Sequence, residues 1–172
     1  MLRDAQASLD LTVVVGVRFV RGMFTGVYAS DFGIWDTNLG TTVRHQHTIG
    51  AEDVRLFQYL HLPRGREVPG QPLTHQYCRN HRFNTLLDGI GVSGITAGAE
   101  TDSSLLAEVK KAIPNTPVFA NTGVRVDNVK AQLSIADGAI VGTHFKKHGV
   151  TWNAVGVRRV KEFMAAVRAL RG

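Results

Sequence analysis

Val118-Phe-Ala-Asn-Thr-Gly-Val124 is followed, one helix-length later, by Asp137-Gly-Ala-Ile-Val-Gly-Thr143. Each is a short apolar strand that runs directly into a glycine-containing turn. Two such turns separated by one helix read as the last two strands of a phosphate-binding (β/α) barrel. There, backbone N–H groups after strands seven and eight, with a short helix N-terminus, hold a phosphate. Asn121, Gly123 and Val124 after the first strand, and Gly142 and Thr143 after the second, are therefore the phosphate-binding candidates. Glycine lets the backbone approach an anion, Thr143 can add a hydroxyl, and Lys146 can add charge. The plainer reading is that Gly123 and Gly142 only serve tight turns.

Outward from this stretch, helices and strands alternate. The spacing predicts a helix over Asp4–Val15, with Ala5, Leu9 and Val13 on one face. A strand follows at Arg18–Arg21, then a long loop from Gly22 to Gly40, a helix over Thr41–Ile49 and a strand over Asp53–Leu60. Gly89–Ser93 is the next strand. Thr101 opens a helix whose buried stripe is Leu105, Leu106, Val109 and Ile113. Pro117–Ala120, a helix over Val126–Ile135, a last strand at Ala139–Val141 and an amphipathic helix over Val157–Leu170 complete the series. Repeated βα units with short connections predict a parallel sheet, with ligands at the C-terminal ends of the strands. About five strands are legible, whereas a closed eight-stranded barrel takes about 250 residues. The expected fold is thus α/β: a single partial (β/α) TIM-barrel domain over 1–172, of about five βα units.

The composition fits a globular protein, at 44% apolar and 20% charged residues. No apolar run reaches the roughly 20 residues of a membrane helix, so no membrane partner is expected. The N-terminus carries no signal-like apolar stretch, which predicts a cytoplasmic protein. A single cysteine, Cys78, excludes an intrachain disulfide and a cysteine-based zinc site. The net charge of +6 invites a nucleic-acid reading. However, Arg158, Arg159, Lys161, Arg168 and Arg171 alternate with apolar residues in the last helix, as a solvated face does. No aromatic-interleaved basic stripe stands elsewhere, so no nucleic-acid partner is expected.

Several further stretches stand in the same order as in one family. They are Phe19-Val-Arg-Gly-Met-Phe-Thr-Gly-Val-Tyr-Ala-Ser-Asp-Phe-Gly-Ile-Trp-Asp36, Thr42-Val-Arg-His-Gln-His47 and Val92-Ser-Gly-Ile-Thr-Ala-Gly-Ala-Glu-Thr-Asp102. Phe119-Ala-Asn-Thr-Gly-Val-Arg125 and Ala136-Asp-Gly-Ala-Ile-Val-Gly-Thr-His-Phe-Lys-Lys147 join them. Together they resemble the BtpA family, in its SgcQ-like branch, over most of residues 3–57 and 83–171. The resemblance implies a phosphate-binding TIM barrel. One branch of the family is associated with photosystem I biogenesis and the other with a sugar-uptake gene cluster. Met1 aligns just after the family's third strand, which implies units corresponding to strands 4–8 with the first three strands missing. It also implies an unpaired edge on the Arg18–Arg21 strand, to be completed by an N-terminal segment or by a second copy. Residues 58–82 depart from the family. Pro63-Arg-Gly-Arg-Glu-Val-Pro-Gly70 stands where members carry Pro-Glu-Ala-Ala-x-Tyr-Leu-Gly. Codons for the first can yield the second when read one base later, so two compensating frameshifts, before Pro63 and before Phe83, would account for the segment.

The candidate catalytic residues follow strands. Arg21 can clamp a carboxylate or phosphate, and Asp31 can act as a base if burial raises its pKa. Glu100 can act as acid or base. Thr25, Tyr28, Trp35, Ser93, Thr96 and Lys146 are candidate substrate-lining residues, the aromatics as stacking surfaces for a sugar ring. Against these stand plainer roles: Asp31 as a turn residue, Thr101 and Asp102 as a helix cap. His45 and His47 do not share a helix face, so no metal site is expected. No flavin or nicotinamide fingerprint and no Schiff-base lysine can be assigned, so no cofactor is expected. The predicted ligand is a phosphorylated sugar or related small metabolite, with lyase or isomerase chemistry. The alternatives are a non-catalytic accessory protein in assembly, or an inactive fragment.

Overall fold

The computed structural model of the chain describes residues 4–30, 33–60, 87–94 and 98–171. Asp31, Thr96 and residues 61–82 of the atypical segment lie outside them. Two compact units emerge: Met1–Tyr59 with Asn84–Gly89, and Leu60–Phe83 with Ile90–Gly172.

The first unit opens with α1 (Ala5–Val15). The Asp4 carboxylate accepts from the Ala7 N–H at 2.9 Å, satisfying one of the donors a helix start leaves over. Gly16, at φ +70°, ends the helix and returns its N–H to the Thr12 carbonyl. The buried residues of α1 are Leu9 and Thr12, whereas Val13 is half exposed. Thr12 enters the core because its hydroxyl donates to the Leu9 carbonyl at 2.6 Å, which leaves no polar group unpaired. Strand β1 (Phe19–Gly22) runs parallel to β4 (Arg55–Leu60), with buried Val20 opposite buried Leu56.

The stretch expected as one long loop contains an antiparallel hairpin, β2 (Val27–Ser30) and β3 (Gly33–Asp36). Beneath it Phe24 is buried, and its N–H donates to the side-chain oxygen of Gln58 at 2.8 Å. Gln58 is itself fully buried, an amide kept dry because it has backbone to bind. Helix α2 (Leu39–Thr48) starts two residues earlier than expected, since Asn38 caps it by accepting from the Thr41 N–H.

In the second unit, β5 (Gly89–Val92), β6 (Val118–Ala120) and β7 (Gly138–Ala139) lie side by side and parallel. Ile90 pairs with Val118 and Ala120 with Ala139. The helices are α3 (Ser103–Ala112), α4 (Val129–Leu133) and α5 (Val157–Arg171). Asp102 caps α3, accepting from the N–H groups of Ser104 and Leu105 and from the Ser104 hydroxyl. The expected stripe holds at Leu106, Val109 and Ile113, which join Val92, Val118, Ala120, Val124, Val129 and Phe163 in one core. Among the described residues no helix is long and apolar enough to cross a membrane.

Candidate anion-binding site

The C-terminal ends of β5, β6 and β7 carry Ser93-Gly94, Asn121–Arg125 and Ile140–Thr143. Their loops interlock through glycine. A Cβ on Gly123, which sits at φ +65°, would lie 2.4 Å from the Ala99 carbonyl carbon. A Cβ on Gly94 would lie 2.5 Å from the Ala99 carbonyl oxygen. The Ala99–Glu100 backbone thus passes against both loops, and only glycine admits it. One step earlier, Gly98 comes to Thr143 at van der Waals distance.

Polar side chains stitch the same loops. The Thr122 hydroxyl accepts from the Gly94 N–H at 2.6 Å, and the Thr101 hydroxyl lies 3.1 Å from the Val92 carbonyl. Buried Asn121 donates to the Ser93 hydroxyl at 2.7 Å, so its amide ties β6 to β5. Asn128 clamps the turn after β6 from both sides. Its oxygen accepts from the Arg125 N–H at 2.7 Å, and its nitrogen donates to the Gly123 carbonyl at 3.0 Å. Among the described residues, the backbone N–H groups of Gly123, Val124, Gly142 and Thr143 donate to no acceptor. Thr143 also starts a short 3-10 turn, Thr143–Phe145. Four N–H groups on the ends of adjacent strands suit a tetrahedral anion.

The charge around these loops is arranged rather than loose. Arg125 pairs with Glu100 at 2.9 Å and with Asp127 at 3.1 Å. Hydrogen bonding from the Asn128 side chain, then from Arg125, holds the Glu100 carboxyl below the ordinary carboxylate range. Glu100 is therefore held ionised, and the hydrogen bonds that lower its pKa also weaken it as a base. Arg159, expected on the solvated face of the last helix, instead turns inward. Its Nε donates to the His144 carbonyl at 2.5 Å, and its terminal nitrogen lies 3.3 Å from His144 Nδ1. A guanidinium only donates, so Nδ1 is the acceptor and the ring proton sits on Nε2. Burial, aided by the Arg159 charge, pushes the His144 pKa down and keeps the ring neutral.

In the first unit Arg21 lies over the Tyr59 ring, 4.9 Å from its centroid. Thr25 is half-buried at the turn before the hairpin. Tyr28 stands opposite Trp35 in the hairpin register. Trp35 borders a cavity of about 190 Å³, with Asp4, Phe24, Asp36, Asn38 and Thr41 also on its wall. His45 bonds Asp10 at 2.7 Å and His47 bonds Glu52 at 2.6 Å, so each imidazole holds its own carboxylate.

Asn128 and Arg159 escaped the reading of the sequence as site residues, and Thr122 and Arg125, which follow a strand as site residues do, carried no role of their own in it. Asn128 had a signal: an Asn three residues after Arg125, just past a glycine turn, is placed to bond the backbone behind it. Arg159 had none, since its spacing matches that of its solvated neighbours.

Comparison with known proteins places these loops in context. A family model described as the BtpA family matches residues 1–169. The sgc region protein SgcQ of Escherichia coli is 48% identical over 171 residues, covering 99% of this chain and 63% of SgcQ. The photosystem I biogenesis protein BtpA of Synechocystis is 29% identical over 165 residues, covering 95% of this chain and 57% of that protein. The chain thus spans about three fifths of the length of these relatives. Phosphoribosyl anthranilate isomerase from Thermococcus kodakaraensis aligns with a TM-score of 0.63 at 17% identity, covering 97% of this chain and 71% of that one. The isomerase from Thermus thermophilus gives 0.62 at 10% identity, covering 97% of this chain and 68% of that one. At such identities the likeness concerns fold alone: an α/β arrangement with parallel strands, like that of TIM barrels.

Proposed function

The chain belongs to the BtpA family, and from that membership we propose that it holds the phosphate of a phosphorylated sugar or related metabolite at the ends of β6 and β7. The observation that carries the reading is the set of backbone N–H groups of Gly123, Val124, Gly142 and Thr143, free among the described residues and carried by adjacent strand ends. Asn121 shapes the site by fixing Ser93, and Lys146 and Thr143 supply charge and hydroxyl. In the second unit Glu100 is the proposed catalytic carboxylate, with Ser93 and Thr96 lining. In the first unit Arg21 and Asp31 are the proposed catalytic groups, with Thr25, Tyr28 and Trp35 lining. Proton movement beside a carbonyl, as in lyase or isomerase work, suits an ionised carboxylate near a bound phosphate.

The accessory reading, action in assembly rather than turnover, draws on the exposed apolar surface of α1 and β1 described below and on the printed role of the Synechocystis relative. One titration separates the readings. Inorganic phosphate and a pentose phosphate are titrated into the protein by calorimetry, alongside Gly142→Asp. A Cβ at Gly142 meets nothing within 4 Å, so the variant keeps its fold while placing a negative charge at the N–H groups. The expected result is millimolar or tighter binding by the native chain and loss of at least tenfold in the variant. No binding of either anion by the native chain overturns the phosphate reading and favours the accessory one.

A further inference from the structure

We infer that Trp152 is the stacking platform for the ring of the phosphorylated ligand, and so selects cyclic sugar phosphates over acyclic ones. The inference rests on the phosphate reading above. Trp152 is 93% exposed, more than any other large apolar residue described. Val150 and Val155 on the same loop, and Val157 at the start of α5, are about half exposed or more. An indole held in water forgoes a large burial gain, and its usual reason is a ligand or partner.

The loop does not leave Trp152 outside through slackness. Lys146 and Val155 form an antiparallel bridge, and the Lys147 N–H donates to the Ala154 carbonyl at 2.9 Å. The Gly156 N–H donates to the Phe145 carbonyl at 2.7 Å, and the Asn153 side chain to the Lys147 carbonyl at 3.0 Å. Residues 146–156 are therefore a loop with a tied backbone, and Trp152 lies within it.

Position supplies the ligand class. The Thr151 hydroxyl lies 3.1 Å from the Thr143 hydroxyl, and Thr143 carries one of the free N–H groups. Trp152 is the next residue, its Cα about 3.8 Å beyond that of Thr151. On this inference the ring of a ligand whose phosphate sits at Gly142–Thr143 lies against this residue. Lys146 and Lys147 at the base of the loop favour an anion. A second copy of the chain is the poorer occupant, because four side chains at the loop and the start of α5 fall far short of the roughly 20 residues a side that a stable interface uses.

The test is calorimetric titration of the native chain and Trp152→Ala with inorganic phosphate, glycerol phosphate and ribose 5-phosphate, with circular dichroism and sedimentation velocity on both proteins. The expected result is about a fivefold preference of the native chain for ribose 5-phosphate over glycerol phosphate. In Trp152→Ala that preference falls to about one, while inorganic phosphate binds unchanged. Equal weakening of all three anions, or an unchanged preference, overturns the inference and leaves the phosphate site standing. A change of oligomeric mass in Trp152→Ala overturns it in favour of a protein contact. Failure of the native chain to bind any of the three overturns both.

Discussion

Asn128 does more for the candidate site than any residue first assigned to it. Its side chain donates to the carbonyl of Gly123 and accepts from the N–H of Arg125, so it fixes the turn that carries two of the candidate N–H groups. Asn128→Ala removes both bonds; the Gly123 carbonyl keeps the Arg125 guanidinium at 3.2 Å, but the partly buried Arg125 N–H is left without its acceptor, a loss of about 1–3 kcal/mol. Urea unfolding should show that loss, and phosphate affinity should drop with it. Asn128→Asp keeps the acceptor, loses the donor, and should fall between the two. Gly123→Ala is a harsher case, since it combines φ +65° with a Cβ 2.4 Å from backbone. It should cost about 3 kcal/mol or more and give little folded protein. At this scale the glycines were legible because their turns follow apolar strands. Asn128 carried a competing signal as well, because an Asn near a helix start usually caps that helix. Here it reaches back to Gly123, and no side-chain cap bond forms at α4.

Among elements, the same device closes two strands. Asp88 accepts from the Leu56 N–H at 2.8 Å, and its own N–H donates to the Leu56 carbonyl. Asp137 accepts from the Val118 N–H at 2.7 Å, and its N–H donates to the Val118 carbonyl. Each is followed by glycine at the start of its strand, so an Asp-Gly pair marks one strand end and bonds its neighbour's start. These bonds lie at the strands' N-terminal ends, where barrel residues serve stability. Burial opposes the charge on Asp137, but the Lys110 ammonium at 2.7 Å and the Val118 N–H outweigh it and hold the carboxyl below 3.8. A depressed carboxyl contributes stability that is full above its unfolded value and is lost as pH falls through the folded one. Asp137→Asn should therefore lower the urea midpoint at pH 7, and its gap to the native chain should narrow steadily below pH 4. Parallel pH curves would show that Asp137 acts through shape alone. The alternation of strands and helices was legible at this scale, since apolar runs and caps are local. The hairpin Val27–Asp36 was not. Its strands are four residues each, and Val27 and Ile34 point apolar side chains to water, so no alternation betrays them.

For the whole molecule, the apolar surface on the first unit bears on what the chain associates with. Val14 is 81% exposed, and Val13, Val15, Val17 and Phe19 are all about half exposed. They run from the end of α1 into β1, which among the described residues pairs with β4 alone. Phe19 stacks on Phe57 at 5.3 Å yet keeps half its surface in water. A contiguous apolar patch beside a strand with an open side is a template for another strand and helix. That no stripe of α1 predicted this follows from its sequence. Val13-Val-Val15 is apolar all round, so periodicity cannot choose a buried side, and the Thr12 bond to Leu9 decides it. We expect the chain to self-associate through this surface. Val14→Lys with Val15→Lys keeps helix propensity, since lysine is the better helix former. Sedimentation velocity at tens of micromolar should show the native chain as a dimer or larger and the double variant as a monomer with the same helix content. A native chain that sediments as a monomer and unfolds in one sharp transition would mean that this surface stays in water, and that the unit is stable with β1 open.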